Sequence, residues 1–131
     1  MTTTYVPGVC NIGPAERRKR RQLGWVGLIV VLVLLVAFPL FGVPDLLRVL
    51  IVIPAAASAN GFLQSAMHFC VGFAMRGLYN LGTTLGTVRD GTVETVMDAQ
   101  QRRADQKKGA QIMLYSLLIA AGVVLIAVLL P

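Results

Sequence analysis

The sequence predicts an all-α chain that crosses a membrane three times, with the first two crossings joined as a hairpin. Three observations predict it. Of the 131 residues, 56% are hydrophobic and only 14% are charged, too few charges to keep a domain of this size dissolved in water. The apolar residues are gathered into runs of about 20, the length a helix needs at 1.5 Å per residue to cross a core about 30 Å thick. The basic residues are gathered too, in two blocks that each stand just before an apolar run.

Residues 1–22 carry no apolar period. Pro7, Gly8, Gly13 and Pro14 break regular structure, so a helix is expected to open near Ala15, with Glu16 facing its positive end. Arg17, Arg18, Lys19, Arg20 and Arg21 follow as an unbroken cationic run. Directly before an apolar stretch, such a run reads as a contact to lipid headgroups and an orientation signal. No small-x-small cleavage site follows, which argues against a secretory signal peptide.

Residues 23–42 form the first span, with Trp25 as an interface aromatic. Pro39, Gly42, Val43 and Pro44 predict a tight reversal, hence an antiparallel neighbour. Residues 44–77 are read as the second span continuing into an interfacial segment. Pro44 and Asp45 suit its first turn. Arg48 is expected to snorkel outward or to pair with Asp45. Pro54 should kink the helix and free the carbonyl of Leu50. Ala57, Gly61 and Ser65 recur every fourth residue as a small-residue face for close helix packing, within the chain or against another protein. Asn60, Gln64 and His68 recur the same way. Amides are costly in hydrocarbon unless paired, so this polar stripe should make interhelical hydrogen bonds or line a ligand or proton path. An unbroken helix from 46 to 75 would measure about 45 Å, so the chain is expected to leave the membrane near Gln64–His68.

Residues 78–110 form a polar connection. Leu78, Leu81, Leu85 and Val88 predict an amphipathic helix weakened by Gly82, Gly86 and Gly91. A second helix is expected over 92–108, with Val93, Val96 and Met97 on one face and Arg102, Arg103, Lys107 and Lys108 crowding the far end. It reads as a solvated helix or a docking site for a partner. Residues 111–130 are the third span, with Tyr115 near the basic end. Five basic residues precede the first span, six lie in 76–108 and only Arg48 lies at the turn between the first two spans. That split places the amino terminus and the connection in the cytoplasm and the carboxyl terminus outside.

Cys10 and Cys70 are too few for a disulfide framework. With His68 they are the available soft ligands. On an intact helix His68 and Cys70 point about 200° apart, and three ligands do not close a tetrahedral site. No metal and no cofactor are expected. The cationic run near Cys10 could stabilise a thiolate; otherwise both cysteines are small packing residues. There is no phosphate-cradling glycine loop, no pair of carboxylates in an apolar setting and no Ser-His-Asp spacing, so enzymatic chemistry is not expected. The net charge of +6 does not point to nucleic acid, because the basic blocks adjoin apolar runs and no aromatic residues interleave them.

The opening Asn11-Ile12-Gly13-Pro14-Ala15-Glu16-Arg17, then basic residues, Gly24 and an apolar span, follows the pattern N-x-G-x-x-E-R. It resembles the start of the small YgaP-like inner-membrane domain family, over residues 11 to about 65. The resemblance implies a helical hairpin in the bacterial inner membrane. Members are sometimes fused to rhodanese sulfurtransferase domains. This chain adds a third span, and no active-site residue carries over. The segments CNIGPAE and FCVGFAMRGLYNLG are also similar to uncharacterised three-span bacterial proteins. The expected role is a non-enzymatic subunit or scaffold, in contact with lipid and with other membrane proteins or a second copy. Two other readings are a thiol- or sulfur-linked protein using Cys10 and Cys70, and a small oligomeric transporter lined by Asn60, Gln64 and His68.

Overall fold

Proline placement sets the first hairpin. A computed structural model describes residues 5–82, 85–86 and 91–131. Helix α1 runs Pro14–Leu40, with Pro14 at the first turn, where its missing N–H costs nothing, and Glu16 beside it. Pro39 lies near its far end, and Gly42 then turns the chain at φ +60°, a left-handed conformation that glycine adopts freely. Helix α2 (Asp45–Arg48) passes through a 3-10 turn, Val49–Ile51, into α3 (Val52–Met67). The tighter turn stands just upstream of Pro54. A proline there cannot bond the carbonyl of Leu50, and a change of helix type absorbs the loss.

The second long helix ends within the Gln64–His68 stretch rather than running on to 77. It closes at His68, which adopts the left-handed conformation (φ 55°, ψ 40°). The His68 N–H bonds the Ser65 carbonyl at 3.4 Å and the Phe69 N–H bonds that of Gln64 at 3.0 Å. This is the Schellman closure, and the buried Phe69 completes it by packing in one cluster with Leu63. Helix α4 (Val71–Arg76) is a separate short piece, ended by Gly77 at φ 67°.

The connection departs from expectation. Leu78–Tyr79 (β1) and Glu94–Thr95 (β2) form a two-stranded antiparallel ribbon, with Leu78 opposite Thr95 and Tyr79 opposite Glu94. Leu81 and Leu85 are not helical, and Val88 lies outside the described residues. Val93 and Val96 are buried, but from non-helical backbone on either side of β2; Met97 is exposed. Glycine at 82, 86 and 91 and the β-branched residues between them disfavour helix here. Helix α5 (Ala99–Leu129) begins where Asp98 accepts the Gln100 N–H at 2.9 Å. Its 31 residues span about 46 Å, more than a membrane needs. The expected third span is its distal part, and Arg102 to Lys108 continue the same rod beyond it.

Helix α3 is central and packs on both α1 and α5. Contact with α1 is close because Gly24, Gly27 and Gly61 carry no side chain: a Cβ on Gly61 would stand 2.6 Å from the Arg20 carbonyl oxygen. Ser58 Oγ donates to the Gly24 carbonyl at 2.8 Å across the same seam. Near the hairpin end, Val31, Phe38, Ile51, Ala55, Ala120 and Ala127 form the common core. Three helical stretches, Pro14–Leu40, Asp45–Met67 and Ala99–Leu129, are long and apolar enough to cross a membrane. Their outer faces carry exposed leucine, valine and isoleucine over 23–40, 46–53 and 114–129, for example Val33, Ile53 and Leu118.

Candidate functional site

The polar residues gather at the two ends of the helix layer, where each fastens one element to another. At the basic end, the amino-terminal strap crosses the break between α3 and α4. Asn11 is fully buried there. Its amide nitrogen donates to the Cys70 carbonyl at 3.1 Å, and its amide oxygen accepts the Cys70 N–H at 2.7 Å. Its own backbone N–H bonds the His68 carbonyl (3.1 Å), and its carbonyl accepts from the Asn80 N–H (3.0 Å). A Cβ on Gly13 would run into the Leu81 carbonyl, so only glycine lets the strap lie this close. Asn11→Ala leaves the Cys70 N–H buried without a partner and its carbonyl with the Ala74 N–H alone. We expect it to lower stability by about 2 kcal/mol, measured by denaturant unfolding in detergent.

Beneath the strap the cationic run divides. Arg17 and Arg20 turn inward, whereas Arg18, Lys19 and Arg21 are exposed. Arg17 Nε donates to the Ser65 carbonyl at 3.1 Å. Arg20 donates to Cys70 Sγ at 2.9 Å and lies 3.4 Å from the buried Glu16 carboxylate. Glu16 Oε2 and Arg20 Nε make no hydrogen bond, so this pair holds by charge. Of the second basic block, Arg103 and Lys107 are exposed and Lys108 is half-buried; Arg102 donates to the Val96 carbonyl.

The expected polar stripe is only partly formed. Gln64 Nε2 donates to Asn60 Oδ1 at 2.6 Å, and Gln64 Oε1 accepts the Val71 N–H at 3.1 Å. Asn60 Nδ2 reaches Met113 Sδ on α5 at 3.5 Å. His68 leaves the stripe, because its left-handed backbone ends the helix period. Burial, helped by the Arg17 charge, lowers its pKa from the ordinary value. Of the small-residue face, Gly61 and Ser65 are buried, Gly61 against α1, and Ala57 is half-buried.

The two thiols lie in different surroundings. Burial raises the Cys10 pKa, outweighing a backbone contact at Ile12 and the Arg17 charge that both lower it. Cys70 is 2% exposed and packs with Ile12, Phe73 and Val93. Among the described residues no three of His, Cys, Asp and Glu converge on one point, so Cys10, His68 and Cys70 form no ligand set.

Three fastening residues escaped the sequence reading as such: Asn11, Asp105 and Arg48. Asp105, on α5, is fully buried; it accepts from Tyr5 Oη at 2.6 Å and from the Gly8 N–H at 2.8 Å. Tyr5 stacks on Tyr79, ring centroids 4.6 Å apart, and Tyr79 in turn donates to Glu94 at 2.6 Å. Burial and the Asp105 hydrogen bond push the Tyr5 pKa well above its ordinary 10.0. A hydroxyl whose folded pKa is raised stabilises the fold below pH 10 and loses that contribution as pH climbs toward the folded value. The strap should therefore become protease-sensitive only under strongly alkaline conditions, and Tyr5→Phe should remove the tyrosinate absorbance step that accompanies its release.

At the other end, Arg48 does not snorkel outward; its Nε forms the expected ion pair with Asp45, one turn away at 3.8 Å, and its other bonds run inward. It is 5% exposed. Its Nε donates to the Val43 carbonyl at 2.8 Å, and one terminal nitrogen donates to the carbonyls of Ala127 (3.1 Å) and Leu130 (2.8 Å). The cation thus caps the last turn of α5 and ties it to the hairpin turn.

Compared with family models, curated proteins and solved structures, the chain matches none.

Proposed function

We propose that this chain is a small polytopic protein of the bacterial inner membrane, amino terminus inside, serving as a non-enzymatic subunit that packs with other membrane proteins. The observation that carries the reading is where its apolar surface lies. Helices α1 and α5 and the stretch 46–53 leading into α3 turn leucine, valine and isoleucine outward, a surface stable in lipid and costly in water. The inward polar groups support a structural role, since Asn11, Gln64, Arg17, Arg48 and Asp105 each hold two chain segments together. The N-x-G-x-x-E-R opening supports kinship with the YgaP-like hairpins. Asn11, Gly13, Glu16 and Arg17 each have a place in the clasp at the basic end.

The partner surface is assigned to a furrow of about 370 Å³ over α3, flanked by Leu28 of α1 and Ile119 of α5 and floored by Ser58, Phe62 and Ala66. The Gly61 face is occupied by α1, so it is not free for a partner. A photo-crosslinking residue at Ala66 should trap one defined membrane protein, and the same residue at the outward Val33 should trap only lipid. Equal trapping from both positions, or none from either, would contradict the subunit role.

A further inference from the structure

We propose that the cavity walled by Pro14, Ala15, Arg18, Lys19, Gln22 and Leu85 binds the phosphodiester headgroup of an anionic phospholipid. The inference rests on the membrane reading above and assigns it a specific lipid site. The cavity measures about 490 Å³, within the range of small-ligand pockets.

Three features point to an anion of this kind. First, among the described residues neither Arg18 nor Lys19 makes an ion pair. The described carboxylates are engaged elsewhere, Glu16 with Arg20, Asp105 with Tyr5 and Gly8, Glu94 with Tyr79, Asp98 with Gln100. Asp45 stands at the opposite end beside Arg48. Second, the run of cations is divided by role. Arg17 and Arg20 are spent on the fold, which leaves Arg18 and Lys19 to a ligand on the far side of α1. The planar fork of arginine fits two phosphate oxygens, lysine adds a point charge and Gln22 an amide donor. Third, the depth is right. Lys19 stands one turn before Leu23, where the apolar run begins, about 6 Å along the axis. A headgroup layer is roughly 5–8 Å deep on each side of the hydrocarbon. Pro14, Ala15 and Leu85 offer apolar wall to the glycerol and the first methylenes.

The test places the full chain in discs of equal parts phosphatidylcholine and phosphatidylglycerol, releases it in mild detergent and counts retained lipids by native mass spectrometry. The expected result is one retained phosphatidylglycerol, cut at least about tenfold by the double variant Arg18→Gln/Lys19→Gln. Arg21→Gln, on an exposed cation off the cavity wall, should retain it. If the double variant fails to fold, Lys19→Gln alone is read, with a smaller loss in the same direction. An equal loss with Arg21→Gln would mean diffuse charge and would overturn the site. Displacement by millimolar inorganic phosphate would make it a site for free phosphate and overturn the lipid assignment. A chain that enters the discs and keeps no phosphatidylglycerol refutes this site alone; a chain that stays soluble and never enters them refutes the membrane reading.

Discussion

Arg48→Ala should lower the stability of the folded chain by about 4 kcal/mol. The guanidinium serves three carbonyls, from Val43, Ala127 and Leu130. Its removal leaves them at the edge of an apolar layer with few alternative donors, each at a cost of about 1–3 kcal/mol, eased where water can reach. The damage should be local before it is global. The last turn of α5 loses its cap, and the link between the hairpin turn and the carboxyl end is cut. Denaturant unfolding in detergent measures the loss, and spin labels at Phe41 and Leu129 should show a broadened distance distribution. Arg48→Lys should recover less than half, because one ammonium cannot reach all three oxygens with the geometry of the fork. A variant as stable as the parent would mean that the clip adds nothing to the fold.

Gly61→Leu should cost about 3 kcal/mol or more by forcing α3 off α1. The contacts a side chain would meet are backbone atoms, the Arg20 carbonyl oxygen at 2.6 Å and the Gly24 nitrogen at 2.7 Å, and backbone cannot swing aside. Separation would also stretch the Ser58–Gly24 hydrogen bond and draw Ser65 from Arg17. Gly122 provides the contrast. Nothing lies within 4 Å of a Cβ placed there, so Gly122→Leu should change stability by less than about 0.5 kcal/mol. Thermal unfolding of the two variants side by side separates a steric effect at the seam from a general intolerance of glycine replacement.

The three helices were legible because span length and apolar content are local properties. A run from 23 to 42 or 111 to 130 needs no knowledge of its neighbours to be read. The close of α3 was legible in part: the length argument put the exit near Gln64–His68, but not the left-handed His68 that makes it. The connection was misread because Val93 and Val96, three apart, fit one helical turn, whereas here they flank the two-residue strand β2. Asp98 followed by Gln101 was the better sign, since an acid before a glutamine marks a helix start. Long-range fastenings were not legible. Arg48 meets Leu130 across 82 positions and Asn11 meets Cys70 across 59. Nothing near Arg48 shows that a helix end joins Asp45 as its partner. Nor did proximity to arginines in sequence show how far Cys10 would be buried.

The central claim is that three helices cross one bilayer with both basic blocks on the same side. Single cysteines at Phe41, by the hairpin turn, and at Lys107, on the basic end of α5, test it in a chain with Cys10 and Cys70 replaced by serine. A membrane-impermeant maleimide applied to intact cells should label the first freely and reach the second only after the membrane is opened. Labelling of the Lys107 position from outside, or of both positions alike, would contradict it.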